Sequence, residues 1–209
     1  MTGTGHHSRL LNEERLMRIF GEFSNWRIDD FIRQLATQRK RGGVLPFVRG
    51  LRLSAQLIYA IREILSGTNL TASWGHLLDK DGTFCSSECD VIIHQEGHVR
   101  QWNGENQNPI MDFKFIEQEK AVAVISCKSY LRSYDIDQQY CDSMKPFVKN
   151  IWLFAECCGP RSNESILKKA LEYGYERFWF LYCWSRKSDP QPNSEGWSEF
   201  VEVVKKLSN

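Results

Sequence analysis

The nine residues Ala121-Val122-Ala123-Val124-Ile125-Ser126-Cys127-Lys128-Ser129 decide the fold of this chain. The first five are all apolar, which is typical of a strand that is buried on both faces of a sheet. The run leads directly towards a lysine. Upstream, Cys89-Asp90-Val91-Ile92-Ile93 is a second apolar run that carries an aspartate near its start. If the two runs are neighbouring strands, a carboxylate and an ammonium lie side by side at one edge of the sheet.

A carboxylate beside an ammonium suits the hydrolysis of a phosphodiester. The reaction needs a hard cation, which carboxylates hold and which lowers the pKa of a bound water. A neighbouring lysine can orient the attacking water or offset the charge that develops on the phosphate. Taken singly, Asp90 and Lys128 have simpler interpretations, as a strand cap and as a lysine returning to solvent. Together, in this order of elements, they predict a metal-dependent phosphodiesterase site.

The composition is that of a globular protein whose cysteines are reduced thiols. With 209 residues, 42% hydrophobic and 12% aromatic, the chain is long enough for one domain with an extension. No apolar run approaches the roughly 20 residues of a membrane span, and the N-terminus has no signal-type stretch. The seven cysteines are odd in number and scattered, which favours buried thiols over disulfides or a zinc site. We therefore expect a cytoplasmic protein with no membrane association.

The net charge of +1 does not decide whether the partner is a nucleic acid, because local clustering governs phosphate contact. The densest basic cluster is Arg39-Lys40-Arg41, followed by Gly42-Gly43. Its simpler interpretation is a solvated face. Its functional interpretation is a loop that binds the phosphate backbone of a nucleic acid.

Periodicity predicts an N-terminal helical extension over residues 1–50 and a main domain over 51–209. The main domain contains, in order, a helix at 51–65, strands at 69–78 and 83–94 joined by an Asp-Gly turn, a loop at 95–109, a strand at 121–127, a helix capped by Asp135, a strand at 151–155, a helix at 163–173, a strand at 178–184 and a helix at 195–207. Helices that cross between buried strands indicate the α/β class, with a mixed central sheet flanked by helices.

The element order and the two charged residues resemble the PD-(D/E)XK nuclease superfamily, whose fold is restriction-endonuclease-like. The local sequence motifs are similar to those of a group of uncharacterised bacterial domains within this superfamily. Those domains carry Ser-x-Gln-x-Asp after an Asp-Gly hairpin, and then an apolar strand that ends in Glu-x-Lys-Ser. Here Ser86, Glu88 and Asp90 match the first pattern, with glutamate in place of glutamine. Lys128 and Ser129 match the second.

The resemblance implies a role for each matching position. Asp90 would bind the metal, Lys128 would be the catalytic lysine, and the backbone carbonyl of Cys127 would be a further metal ligand. Glu63, on the preceding helix, stands where many members carry an extra acid. The cofactor would be magnesium or manganese and the substrate a nucleic acid, most often DNA. A homodimer or larger assembly and a role in bacterial defence are further implications.

Ser126 departs from the pattern, because the superfamily carries an acid there and a neutral hydroxyl is a poor magnesium ligand. One interpretation is that the acid has moved to Glu63 or to Glu88, which shares a strand face with Asp90. A second is a module that has lost the metal and binds nucleic acid or a protein partner. A third is a replacement that traps an inactive form. Activity that appears only in an assembly, or with a second messenger, is a separate alternative.

Overall fold

The structure is a computed structural model that describes residues 44–97, 100–101, 113–159, 163–185 and 188–208. Val48–Asn209 forms one compact unit. The predicted basic segment Arg39, Lys40 and Arg41, and most of the predicted extension over 1–50, lie outside the described residues. No helix in the described ranges is long and apolar enough to cross a lipid bilayer.

The described strands form a single mixed sheet. The elements in chain order are α1 Val44–Ile64, β1 Leu70–Leu78, β2 Cys89–Gln95, β3 Arg100–Gln101, β4 Phe113–Glu117, β5 Ala121–Leu131, α2 Gln138–Met144, β6 Asn150–Cys158, α3 Asn163–Tyr173, β7 Arg177–Ser185, β8 Ser188–Pro192 and α4 Ser194–Lys206. The strand order is β3-β4-β1-β2-β5-β6-β7-β8. β2 is antiparallel to both β1 and β5, whereas β5, β6 and β7 are parallel. The architecture confirms the predicted α/β class.

The apolar run that opens the sequence argument forms the centre of this sheet. β5 pairs with β2 on one side and β6 on the other, and its residues from Ala123 to Ile125 are fully buried. Val124 and Leu153 belong to a core with Met144 of α2 and Ile166 of α3. On the opposite face, Phe154 of β6 packs against the ring of Phe200 from α4. Both faces of the sheet are therefore covered, as a continuous apolar strand requires.

The predicted second strand begins later than expected, at Cys89 rather than at residue 83. Over the intervening segment, hydrogen bonds from side chains to the backbone replace the backbone hydrogen bonds of strand pairing. Asp79 Oδ1 accepts the N–H groups of Asp81 and Thr83, and Ser86 Oγ accepts the N–H of Leu77 at 2.8 Å. Such local side-chain bonds compete with strand pairing. The connection is thus a structured loop that delivers the chain to Asp90.

Three strands and one cap differ from prediction. The strands β3, β4 and β8 were not predicted; they are short or interrupted by polar residues and proline. The helix α2 is capped by Asp137, whose carboxylate accepts the Tyr140 N–H, and Asp135 lies in a preceding 3₁₀ turn. The predicted helix 163–173 is confirmed as α3, and it ends at Gly174 with a φ of 95°.

Gly75 holds the sheet together next to the candidate site, and we expect Gly75→Ala to destabilise the protein strongly. Gly75 pairs with Cys89 on β2 and Lys114 on β4, and an added Cβ would overlap the backbone carbonyl of Lys114. Forcing these strands apart should cost about 3 kcal/mol of unfolding free energy, measurable by urea denaturation. Gly50→Ala is the matched control, because open space surrounds Gly50 in α1. It should stabilise by about 0.5–1 kcal/mol. Equal effects of the two changes would contradict this account.

Candidate active site

Asp90 and Ser126 face each other across the β2–β5 pair. The register pairs Val91 with Ile125 and Ile92 with Val124. Continuing it by one residue sets Asp90 opposite Ser126. Residues in that relation share a face, with Cβ atoms about 4.5–5.5 Å apart. The position at which the superfamily carries its second acid is therefore adjacent to the aspartate, and here it holds a buried hydroxyl that is 2% exposed.

The Asp90 carboxylate is fixed to β5. Its Oδ2 atom accepts the backbone N–H of Cys127 at 2.8 Å. Burial raises the pKa of the Asp90 carboxyl above its ordinary value, the Cys127 N–H and the Lys128 ammonium oppose that rise, and Glu88 adds to it. Burial disfavours the charged form of Asp90, and its neighbours offset this effect only in part. A nearby cation would stabilise the charged form. The site is thus electrostatically prepared for a positively charged ligand.

Lys128 lies two residues beyond Ser126 on the same strand, so regular alternation places both on one face of β5. Its side chain is half-buried, and its charge acts on both the Asp90 carboxyl and the Cys127 thiol. Asp90, Ser126 and Lys128 therefore lie close together on neighbouring strands, and their catalytic roles stay predictions. The carbonyl of Cys127 belongs to the same short segment, and its role as a metal ligand stays a prediction.

The two glutamates behave differently from each other. Glu88 is exposed, and its Oε1 accepts the indole N–H of Trp74 at 2.7 Å. It is near enough to raise the pKa of Asp90, yet its carboxylate is already engaged. It lies beside the site with one oxygen committed elsewhere.

The structure does not bring Glu63 to Asp90. The hydroxyl of Ser54 interacts with the Cys127 thiol, so this early part of α1 lies against the face of β5 opposite to Ser126 and Lys128. Glu63 follows nine residues later, which is about 13 Å along a helix. It stands in the last turn of α1, where neighbouring Arg62 donates to the carbonyl of Ala72 at 2.7 Å. Glu63 does not act on the Asp90 carboxyl among the groups that shift its pKa, and its role as the missing acid stays a prediction.

Two tyrosines at the site were not predicted. Tyr175, just after α3, is 1% exposed, and its hydroxyl donates to the carbonyl of Asp137 at 2.8 Å. Burial raises the pKa of the Tyr175 phenol, and a hydrogen-bonding interaction with Ser126 opposes that rise. The hydroxyl of Tyr140, on α2, is buried and has no hydrogen-bond partner among the described residues. Burial raises its pKa, and the Cys89 and Asp90 charges add to the rise. The hydroxyls of Ser126, Tyr140 and Tyr175 therefore lie near Asp90, with the carboxylate of Glu88 beside the site.

The donor set is suited to a hard cation shared with a substrate. Within the described residues, no group of three or more His, Cys, Asp or Glu side chains is placed to hold a metal ion. One carboxylate, Asp90, faces the site, with the Ser126 hydroxyl opposite. Magnesium is commonly bound by one or two carboxylates, several waters and substrate phosphates. These residues fit that mode of binding, and they do not fit a closed metal cage.

Asp90→Asn should raise the stability of the metal-free protein at neutral pH. An asparagine oxygen can still accept the Cys127 N–H, whereas the buried charge disappears. The folded-state pKa of Asp90 is raised, so the unfavourable charged form exists above that pKa and vanishes as the pH falls. The stability gain should therefore be largest at pH 7 and shrink on acidification towards the ordinary aspartate value of 3.8. Thermal unfolding in EDTA across this range measures it. A less stable asparagine variant at pH 7 would show that the charge is fully compensated.

Comparison with known proteins identifies the fold. No protein-family model and no curated protein matches the chain. Among solved structures, Pseudomonas aeruginosa ATCC27853 NucC in its cAAA-bound form has a TM-score of 0.55 and 15% identity, over 100% of this chain and 93% of that one. Escherichia coli MS115-1 NucC, also cAAA-bound, has a TM-score of 0.54 and 13% identity, over 100% and 92%. NucC is a nuclease of the PD-(D/E)XK type. The chain therefore has a restriction-endonuclease-like fold, which it shares with these NucC structures.

Proposed function

We propose that this chain is a metal-dependent phosphodiesterase that cleaves DNA, with Asp90 and Lys128 at its centre. One observation carries the proposal. The Asp90 carboxylate is hydrogen-bonded to the backbone of Cys127, the residue directly before Lys128. The carboxylate is thus held one residue away from Lys128, whose charge acts on it, in a fold similar to that of NucC.

Each residue has a distinct role in this function. Asp90, assisted by the carbonyl of Cys127, would hold a magnesium or manganese ion. When bound, the cation neutralises phosphate charge and lowers the pKa of a water. Lys128 would donate to a phosphate oxygen and orient the attacking water. Hydrolysis would be direct, without a covalent link between enzyme and substrate. Glu88 would act at longer range, since its carboxylate accepts from Trp74.

The biological setting is part of the same proposal. NucC proteins are DNA endonucleases of bacterial defence, which supports a cytoplasmic defence nuclease working in a dimer or larger assembly. Both NucC structures were bound to cAAA. cAAA is therefore a ligand to include when this chain is assayed.

Cleavage of supercoiled plasmid with magnesium or manganese, with and without cAAA, tests the function. We expect nicked or linear products from the wild-type protein and none above background from Asp90→Ala. Asp142→Ala is the matched control, because Asp142 is an exposed carboxylate paired only with Lys145 in the described structure. It should cut like the wild type. Equal cutting by the Asp90 and Asp142 variants would refute the assigned site.

A second candidate function is a module that binds nucleic acid or a protein partner without cutting. It is favoured by the hydroxyl at Ser126, by the commitment of Glu88 to Trp74, and by the lack of a three-ligand cluster in the described part of the chain. Folded wild-type protein that binds DNA in EDTA yet never cuts it, with either metal and with cAAA, would establish this function instead.

A further inference from the structure

Arg132, the residue that follows β5, has an unusual environment. Its guanidinium carbon lies 5.2 Å from the ring centroid of Tyr130 and 5.4 Å from that of Tyr134. Its Nη1 atom donates to the Tyr134 hydroxyl. The side chain is exposed to solvent, and the Tyr134 ring beside it is 65% exposed. Two aromatic rings therefore hold a cationic plane in position at the surface.

This guanidinium has binding capacity that nothing in the described structure uses. A guanidinium carries five N–H donors; one is given to Tyr134, and the Tyr130 hydroxyl also interacts with the group. The nearby carboxylate of Asp135 accepts the backbone N–H of Arg132 at 3.1 Å. No ion pair joins the Arg132 side chain to a carboxylate within the described ranges, whereas Arg177 pairs with Glu199 at 3.4 Å. The side chain of an ordinary surface arginine is free to rotate. Stacking on two aromatic rings restricts the orientation of the guanidinium before a ligand binds.

The position of Arg132 relates it to the candidate active site. Lys128 and Arg132 are four residues apart, and an extended strand of that length spans about 13 Å. A DNA duplex rises about 3.4 Å per base pair, so this interval corresponds to about four base pairs. Both residues lie near the C-terminal end of β5, where Leu131 pairs with Cys158 at the end of β6. A backbone that passes Lys128 can therefore continue to Arg132.

We propose that Arg132, held between Tyr130 and Tyr134, binds a phosphodiester of the nucleic-acid backbone on one side of the scissile position. The proposal rests on the proposed function, since it takes the nucleic acid to be the substrate of the Asp90–Lys128 site. The guanidinium fork matches two phosphate oxygens, which a lysine cannot match. The tyrosine rings lie 5.2 and 5.4 Å from the guanidinium carbon and so limit the orientations that the fork can adopt.

Binding of fluorescein-labelled duplex DNA in EDTA, followed by anisotropy over a range of salt concentrations, tests this proposal. Arg132→Ala should weaken binding about tenfold at low salt and reduce the slope of log K against log salt by about one phosphate contact. Tyr134→Leu should weaken binding less and leave the slope unchanged, because the charge remains. Arg177→Ala, at the start of β7 and the opposite strand end, should change neither quantity.

The outcomes separate the two proposals. Wild-type cleavage of plasmid together with an unchanged salt slope in Arg132→Ala would overturn the role of Arg132 and leave the nuclease function intact. Loss of binding to polyglutamate in Arg132→Ala, with DNA binding unaltered, would assign the fork to a carboxylate partner and would equally overturn it. Far-ultraviolet circular dichroism of each variant excludes misfolding as the cause of any loss.

Discussion

Lys128→Ala should reduce the rate of plasmid cleavage about 100- to 1,000-fold while leaving the protein folded. The ammonium is the charge on β5 that acts on Asp90, and a positioned donor aimed at developing negative charge contributes about this much to a rate. Lys128 is half-buried rather than part of the apolar core, so its removal leaves no large cavity. Single-turnover cleavage with saturating manganese measures the effect on the chemical step.

Two further variants make this result specific. Lys128→Arg keeps the charge but alters the donor geometry, and we expect it to recover only part of the rate. Lys168→Ala is the control, since Lys168 is exposed on α3 and pairs only weakly with Glu172 at 3.9 Å. It should retain the full rate. If Lys128→Ala cut as fast as Lys168→Ala, the lysine would have no part in catalysis and the site would have to be sought elsewhere.

The centre of the fold could be predicted from sequence because its signals are local. The run from Ala121 to Ile125 has no polar residue, which is typical of a strand buried on both faces, and this pattern identifies β5. The helix α3 ends where Gly174 permits a positive φ. The adjacency of Asp90 and Lys128 followed from charged residues at the ends of two such runs.

The rest of the site depends on contacts between residues that are far apart in the sequence. The spacing of apolar residues along the chain carries no information about such contacts. Tyr175 interacts with Ser126 across nearly fifty positions, and at the level of pattern a buried tyrosine is indistinguishable from a core aromatic. The placement of Glu63 depends on contacts of the same kind. A helical stripe identifies the buried face of α1, but it does not say which end of the helix lies over the strand that carries Cys127.

Ser126→Asp should create a stronger metal site at a cost in stability without metal. The new carboxylate would lie opposite Asp90 in a position that is 2% exposed, and two buried like charges destabilise a cross-strand pair. The melting temperature in EDTA should therefore fall. A divalent cation between the two carboxylates removes the repulsion, and affinity for such ions rises with the number of charged ligands. We expect manganese affinity to increase at least about tenfold, which is about 1.4 kcal/mol.

The hydroxyl groups around Asp90 make this outcome more favourable than burial alone suggests. The Tyr140 hydroxyl has no hydrogen-bond partner in the described structure and can donate to a new carboxylate. The Tyr175 hydroxyl, which already interacts with residue 126, could donate there only by giving up its bond to the Asp137 carbonyl. Ser126→Asn is the matched control, since it has nearly the same shape and no charge. The measurement is the rise in melting temperature on adding manganese, which reports binding to the folded state. A rise in the aspartate variant no larger than in the asparagine variant would show that this fold no longer positions a second ligand. In that case the serine would mark a binding module, and restoring the acid alone could not restore a nuclease.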